Sequence, residues 1–270
     1  MTGDVEISPG VWLRYECDRA RLGSSFRAHF DPLKIDAAAR TFVSDAFADP
    51  AGPIRTRIFQ SMRTLLSDYD AYGLLDMYGM HLLSDAQARE LLAAHADGTL
   101  LDVGAGNGAV TQVLAPMFAE VCATEASRVL RRRLRQRGFK VLQQDLSMSP
   151  ALDLKANAIA CLNVIDRCAR PRSLLTHLRS MLAPAGRLLL SVPLPLRPHV
   201  HIGARTADPE ESLPSSQNTW ELDATALADE LLVPLGFQVE RLSRLPYLSR
   251  GDATTPLYVL DAAVLILRVA

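Results

Sequence analysis

Short apolar runs alternate with amphipathic stretches from about residue 84 to the end of the chain. Runs of this length are typical of buried parallel strands, and the stretches between them carry apolar residues at helical spacing. The alternation predicts an α/β fold, a Rossmann-like parallel sheet with helices on both faces. The expected strands lie at residues 99–103, 120–125, 140–145, 157–167, 187–192, 237–242 and 257–269.

The region before residue 84 has a different pattern. Apolar residues recur every three or four positions over residues 36–49 and 54–68, with breaks at Asp31-Pro32 and at residues 49–53. This spacing predicts amphipathic helices. We therefore expect an N-terminal helical cap segment over residues 1–83 and an α/β domain over residues 84–270. The first helix of that domain opens at a capping box, Ser84 to Gln87.

The first expected strand runs into three alternating glycines, Gly104, Gly106 and Gly108, directly before helix-like sequence. Glycine permits positive φ and lets the backbone pass close to a ligand. The spacing departs from the dinucleotide fingerprint, whose third glycine comes one residue later, and Asp102 would repel a pyrophosphate. Both departures favour S-adenosylmethionine, with its ammonium near Asp102 and its carboxylate at the helix N-terminus.

The next two strands also end in acids. Glu125 follows the second strand, where a carboxylate can accept hydrogen bonds from both ribose hydroxyls. Asp145 follows the third strand, where it is suited to the adenine amino group. An alternative stays open, in which Asp102 caps the following helix and Glu125 and Asp145 are ordinary turn residues. This alternative is stronger for Asp145 alone than for the three acids together.

Polar residues follow the fourth strand, where a doubly wound sheet binds its ligands. Asn163, Asp166 and Arg167 are therefore candidates for substrate contact, although Arg167 could equally be a solvated loop charge. A proline-rich stretch without periodicity, residues 193–220, comes after the fifth strand. Loops of this length commonly form lids or substrate-binding segments.

Composition and net charge limit the classes of binding partner that we expect for this protein. A net charge of -1 gives no general attraction to nucleic acid or anionic membranes. The arginine run at residues 131–137 is typical of a solvated helix face, and the RNA-binding alternative lacks interleaved aromatic residues. The four cysteines have no C-x-x-C spacing, so we expect buried thiols and no metal site. The sequence has no signal-like apolar run and no apolar run of membrane-spanning length, so we expect a cytoplasmic protein. We also expect it to act as a monomer.

Four local stretches resemble the DREV family, also called methyltransferase-like protein nine: residues 100–108, 123–127, 161–168 and 244–248. The resemblance implies a seven-stranded class I methyltransferase sheet and cofactor contacts at Asp102, Gly104, Gly106 and Glu125. It implies substrate contacts at Asn163, Asp166 and Tyr247. We place Asn107, Asp145 and Asn163 beside the cofactor as well, noting that the family often has aspartate where Asn107 stands.

The resemblance also implies methylation of a histidine at its pros nitrogen, Nδ1, in His-x-His motifs with a small middle residue. S-adenosylhomocysteine is then the second product. We expect Asp166 to accept the Nε2–H of the target, Asn163 to hold the ring or neighbouring peptide groups, and Tyr247 to orient or wall the pocket. Alternatives are an RNA or small-molecule methyltransferase and a non-catalytic cofactor-binding module. Association with endomembranes or mitochondria is also open by resemblance.

The chain contains its own His-x-His sequence, His199-Val200-His201, in the long loop after the fifth strand. We interpret these histidines as part of a lid, because valine is bulkier than the small middle residue that the family prefers. Self-methylation is the alternative. Metal binding by two histidines alone would be an incomplete site.

Overall fold

The computed structural model describes residues 4–8, 11–62, 66–75, 77, 79–93, 96–202, 205–252 and 254–270. The helices in these residues are α1 (Ser24–Arg27), α2 (Ala37–Ala48), α3 (Pro53–Met62), α4 (Asp68–Leu75), α5 (Asp85–Leu92), α6 (Ala109–Leu114), α7 (Arg128–Gln136), α8 (Pro171–Met181) and α9 (Trp220–Ala226). Short 3₁₀ turns lie at Arg19–Arg21 and Ala115–Met117, and a π-helical turn, Leu227–Leu232, extends α9.

The strands are β1 (Val5–Ser8), β2 (Val11–Leu13), β3 (Met80–His81), β4 (Thr99–Val103), β5 (Glu120–Thr124), β6 (Lys140–Leu142), β7 (Ala156–Leu162), β8 (Leu182–Leu194), β9 (Val200–Ile202), β10 (Arg205–Ala207), β11 (Phe237–Arg250) and β12 (Leu257–Val269). Two hairpins, β1–β2 and β9–β10, stand apart from the main sheet.

The main sheet has the order β3-β11-β12-β8-β7-β4-β5-β6. The strands from β6 to β8 are parallel, and β12 is antiparallel to both β8 and β11. This confirms the predicted doubly wound class I sheet. The short edge strand β3 adds an eighth strand to the seven expected. Strand order reverses between β4 and β7, and ligands of such sheets bind at this switch point.

Strand β11 is longer than its pattern predicts, whereas β12 has the predicted bounds. The expected strand at residues 237–242 continues to Arg250, paired with β12 along its length. The residue after the predicted end, Ser243, is polar, but its hydroxyl is buried and donates to the Asp31 carbonyl at 2.6 Å. Tyr247 therefore lies inside a strand rather than after one.

The N-terminal segment packs directly on the sheet. Leu13, Tyr15 and Leu33 share a hydrophobic cluster with Leu100 of β4 and Val264 of β12. Strand β3, from the same segment, pairs with β11. The expected helices are present as α2 and α3, and α4 follows them. The proposed boundary between residues 83 and 84 stays a prediction.

Arg244 joins three parts of the chain. Its guanidinium makes a 2.7 Å ion pair with Asp261 of β12, donates to the Glu16 carbonyl, and lies 5.2 Å from the centroid of the Trp220 ring. A buried arginine requires this degree of pairing, because desolvating an unpaired charge is costly. Arg244, one of the residues that carry the family resemblance, and Trp220 therefore have a structural role.

Candidate active site

A cavity of about 1020 Å³ lies at the carboxyl ends of β4, β5 and β7. Its far walls come from α4 and from the ends of β11 and β12. All but one of the predicted site residues line it: Asp102, Gly104, Gly106, Asn107, Glu125, Asp145, Asn163 and Tyr247. Asp166 is not among the lining residues. The volume is in the range of sites that hold cofactors and drug-sized ligands.

Gly104 and Gly106 hold the turn between β4 and α6 for different reasons. Both have positive φ, +66° and +58°, where a side chain is strained. A Cβ on Gly104 would lie 2.7 Å from Val164 Cγ2, whereas a Cβ on Gly106 would approach nothing closer than Met80 Cε at 3.8 Å. Gly104 therefore permits packing of the turn, and Gly106 keeps the cavity open.

The Glu125 carboxylate is fixed by two backbone amides. Its Oε2 accepts from Gly106 N at 2.9 Å and its Oε1 from Ser127 N at 2.8 Å. Burial raises the pKa of Glu125, and these amides oppose the rise. Each carboxylate oxygen can accept more than one hydrogen bond. Glu125 can therefore accept hydroxyl groups of a ligand without releasing the turn.

Asp102 is 3% exposed, and its Oδ2 accepts a 2.6 Å hydrogen bond from Thr111 Oγ1. Burial raises the pKa of Asp102 to about 7, while the Thr111 hydroxyl lowers it. The N-cap of α6 is Gly108, and the nearby Asn107 Oδ1 accepts from Ala109 N at 3.0 Å, whereas Asp102 bonds to the Thr111 side chain and not to a backbone amide at the start of the helix. The helix-cap alternative for Asp102 is therefore wrong. A buried carboxylate facing a cavity suits a cationic ligand group.

Asp145 both stabilises a turn and lines the cavity, the two roles that the sequence left open for it. Its Oδ1 accepts from the amide and hydroxyl of Ser147 at 2.9 and 2.7 Å, which is a turn interaction. It also lines the cavity beside Ser147. Together, Asp102, Glu125 and the glycine turn fit the ammonium, ribose and carboxylate groups of S-adenosylmethionine, and Asp145 lies in the same cavity.

Asn163 has a left-handed backbone conformation at the end of β7. Its φ is +56°, uncommon outside glycine. Ser191 fixes both the backbone and the side chain of Asn163. Asn163 N donates to Ser191 O at 2.9 Å, and Asn163 Oδ1 accepts from Ser191 Oγ at 2.8 Å. Strain of this kind persists only where neighbours enforce it, and it concentrates at binding sites.

Tyr247 lies across the cavity on β11. Its hydroxyl contacts Met80 Sδ and interacts with the Asn163 side chain. Burial raises the pKa of Tyr247, so its phenol stays protonated near neutral pH. Tyr247 can thus donate a hydrogen bond or form a wall of the cavity, and its contact with substrate stays a prediction.

Asp166 lies behind the cavity wall and is 4% exposed. Its Oδ2 pairs with Arg167 Nε at 3.3 Å, whereas its Oδ1 is buried and finds no hydrogen-bond partner among the described residues. Burial raises the pKa of Asp166, and Arg167 opposes that rise. Burial is the main cause of the raised pKa of two cavity-lining phenols, Tyr69 and Tyr247, and the charge of the nearby Asp166 adds to it.

Sequence reasoning missed two residues of α4. Tyr69 lines the cavity and its hydroxyl interacts with Arg167, which also lines the cavity. Asp70 accepts hydrogen bonds from the hydroxyls of Ser127 and Ser67, and thereby connects α4 to the start of α7 beside Glu125. The only available signal was a polar and aromatic stretch, residues 67–70, within an otherwise amphipathic region.

The arginine run and the long loop also differ from expectation. Arg131 is buried rather than solvated, and donates to the carbonyls of Glu125 and Ala126 at 2.9 and 2.6 Å. The loop contains the β9–β10 hairpin, and His201 of that hairpin lines the cavity. Part of the arginine run thus supports the cofactor side of the site.

Two features are absent from the described part of the chain. It contains no cluster of three or more His, Cys, Asp or Glu residues arranged to hold a metal ion. Across the same ranges, none of the helices combines the length and the apolar character that a membrane crossing needs.

A family model described as DREV methyltransferase matches residues 12–269. Similar solved structures include the N-methyltransferase NodS from Bradyrhizobium japonicum WM9 with S-adenosyl-L-homocysteine, at 16% identity and TM-score 0.45, covering 68% of this chain and 85% of that one. Another is the glycopeptide N-methyltransferase MtfA with S-adenosyl-L-methionine, at 20% identity and TM-score 0.46, covering 69% and 87%. A third is magnesium protoporphyrin IX methyltransferase from Synechocystis PCC 6803 with bound SAM, at 19% and 0.44, covering 68% and 77%. Likeness at this level does not bear on the substrate.

Proposed function

This chain belongs to the DREV methyltransferase family, whose model spans residues 12–269, and on that premise we propose that it methylates histidine side chains of proteins at Nδ1. S-adenosylmethionine is the methyl donor and S-adenosylhomocysteine the second product. The proposed substrates are protein or peptide segments with a His-x-His motif and a small middle residue.

The observation that carries the proposal is the unpartnered Asp166 Oδ1. A buried acceptor without a donor is costly, and such atoms in native proteins need an explanation. We propose that an imidazole N–H from a substrate satisfies it, which requires the buried Asp166 side chain to turn towards the cavity. If Nε2–H donates to Asp166, the lone pair is on Nδ1, which sets the site of methylation. Asp166 is thus proposed to select the tautomer.

Other residues of the site would hold the donor. We propose that Asp102 meets its ammonium, that the amides of the Gly104–Gly106 turn meet its carboxylate, and that Glu125 meets its ribose. Asn107, Asp145 and Asn163 line the same cavity and are proposed as further contacts. When bound, the donor supplies a methyl group on a positively charged sulfur.

The protein's task at the acceptor is alignment rather than activation. A histidine near neutral pH is largely uncharged and nucleophilic, so no strong base is required. The attacking nitrogen must lie in line with the bond that breaks, and positioning of this kind can lower a barrier by several kcal/mol. Asn163, fixed by Ser191, and the protonated Tyr247 are the proposed orienting residues.

The test is transfer of a labelled methyl group from S-adenosylmethionine to a peptide containing His-Ala-His. A Gln-Ala-Gln peptide of otherwise identical sequence is the matched control, and total RNA tests the rival class of substrate. We expect label on the histidine peptide alone, recovered after hydrolysis as pros-methylhistidine. Label on RNA, or recovery of tele-methylhistidine, would contradict the proposal.

A further inference from the structure

His201 extends the site beyond the residues discussed so far. It lies on β9, opposite Thr206 of β10, and its side chain lines the cavity. The centroid of its ring is 5.5 Å from that of Tyr69 at an interplanar angle of 88°, and 5.0 Å from that of His199 at 89°. An imidazole therefore lines the methyl-transfer cavity beside Tyr69 of α4.

The start of the hairpin is attached to Asp166. His199 N donates to the Asp166 carbonyl at 2.9 Å, and His199 Nδ1 lies 3.0 Å from the Arg197 carbonyl. That carbonyl requires a proton on Nδ1, which fixes the tautomer of His199. His199 is thus engaged outside the cavity wall, whereas His201 faces the cavity.

Chemistry distinguishes His201 from other lining groups. Burial raises the pKa of Cys168 to about 12, so its sulfur is a protonated thiol near neutral pH. Burial also raises the pKa of the Tyr69 and Tyr247 phenols, which keeps both protonated. Arg167 is charged and has no lone pair to donate. Among the side chains that line the cavity in the described ranges, imidazole is the one that commonly offers an uncharged, nucleophilic nitrogen at this pH.

We propose that His201 is itself a methyl acceptor and that the protein methylates its own β9–β10 hairpin. The inference rests on the proposed function in one respect, that histidine is the acceptor type. A ring nitrogen of His201 forms the new N–C bond with its lone pair. The S–C bond of S-adenosylmethionine breaks, and its electron pair stays on sulfur to give S-adenosylhomocysteine. The proton on the other ring nitrogen then leaves to water, which gives neutral methylhistidine.

The experiment incubates the full chain with S-adenosylmethionine and no peptide, followed by intact-mass and tandem mass spectrometry. We expect the mass of one methylene to be added and located on His201. His201→Gln should abolish the addition. His29→Gln, which changes a histidine beside the Glu240 carbonyl outside the cavity, should leave it unchanged. The fraction modified with time should not depend on protein concentration, since the acceptor is in the same molecule; a proportional dependence would overturn the inference.

A second measurement does not depend on turnover. Titration with S-adenosylhomocysteine should shift the imidazole resonances assigned to His201 by comparison with His201→Gln, and leave those of His29 in place. Unshifted His201 resonances would overturn the inference.

The two proposals can fail separately. Methylation of the His-Ala-His peptide without methylation of His201 would retain the proposed function and reject self-methylation. Methylation of His201 without methylation of any peptide would retain self-methylation and reject the proposed peptide substrate. Absence of both would reject both.

Discussion

Gly106 N donates a 2.9 Å hydrogen bond to Glu125 Oε2. The two residues follow neighbouring parallel strands, β4 and β5. This bond couples the conformation of the glycine turn to the position of the proposed ribose acceptor. The cofactor side of the cavity is therefore preorganised by contacts within the protein, and binding need not order it.

The first prediction concerns Glu125→Gln. The amide group would place one N–H donor against a backbone N–H, and the charged acceptor for the ribose would be lost. Hydrogen bonds to charged groups contribute about 1.5–3 kcal/mol, so we expect affinity for S-adenosylhomocysteine to fall by about tenfold to about a hundredfold. Isothermal titration calorimetry measures this.

A matched control for this variant is Glu120→Gln, at the start of the same strand. Glu120 is exposed and pairs with Lys140 at 2.7 Å, away from the cavity lining. The Glu120→Gln variant should bind S-adenosylhomocysteine with the same affinity as the parent protein. Equal affinity of the Glu125→Gln variant and the parent would contradict the assignment of Glu125.

The second prediction compares Gly104→Ala with Gly106→Ala. Both force a side chain into positive φ, at a cost of about 1–2 kcal/mol. Only Gly104→Ala also overlaps Val164, and overpacking of this kind adds about 1–3 kcal/mol. Urea unfolding should therefore show a larger loss of stability for Gly104→Ala. Equal losses would mean that Val164 moves aside freely.

The third prediction follows from Asp102, whose folded-state pKa of about 7 lies above its ordinary value of 3.8. The folded protein holds this proton more tightly than the unfolded chain does. The resulting stability is complete below 3.8, declines as pH rises, and is lost above about 7. Asp102→Asn, which can still accept from Thr111, should remove this decline. Its free energy of unfolding should rise relative to the parent protein as pH increases across that window.

Cofactor binding provides a second readout for Asp102. An ammonium beside Asp102 favours the carboxylate, so binding of S-adenosylhomocysteine below about pH 7 should release a proton from the parent protein. Calorimetry in buffers of different ionisation enthalpy detects that proton, and Asp102→Asn should lose this release. Equal proton release from both proteins would place the ammonium elsewhere.

Local patterns predicted the β4 turn, Glu125 and the order of strands, because a strand, a glycine turn and the helix that follows are set by adjacent residues. Asn163 and Asp166 came from the polar residues that follow the fourth strand and Tyr247 from the family resemblance, and neither source indicated the burial of Asp166. Tyr69 and Asp70 were not predicted, since only the tertiary contact between α4 and α7 brings them to the cavity. The length of β11 was missed because the partner of Ser243 is distant in sequence.

The fourth prediction tests α4 as a cover for the cofactor side. Asp70 is bonded to the hydroxyl of Ser127, and Gly73 of the same helix packs against Val129 of α7. Of the hydrogen bonds that Asp70→Ala removes, the one from Ser127 connects α4 to α7 and contributes about 0.5–1.5 kcal/mol, so dissociation of S-adenosylhomocysteine should speed up by about twofold to about tenfold. Stopped-flow measurements give the rate. Asp45→Ala, which breaks an ion pair between α2 and Arg250, is the control and should leave the rate unchanged.

The last prediction concerns Asp166→Ala. If Asp166 selects the substrate tautomer, the variant should bind S-adenosylhomocysteine normally but lose about 10²–10⁴-fold in kcat for the His-Ala-His peptide, as positioned proton acceptors commonly do. Parent activity should also fall at acidic pH, because the pKa of Asp166 is raised by burial and its protonated form accepts poorly. Asp153→Ala, at an exposed aspartate, is the control. Turnover within a few-fold of the parent would show that another acceptor, such as Asn163, sets the tautomer; a loss of cofactor affinity would show that Asp166 supports the fold of the site instead.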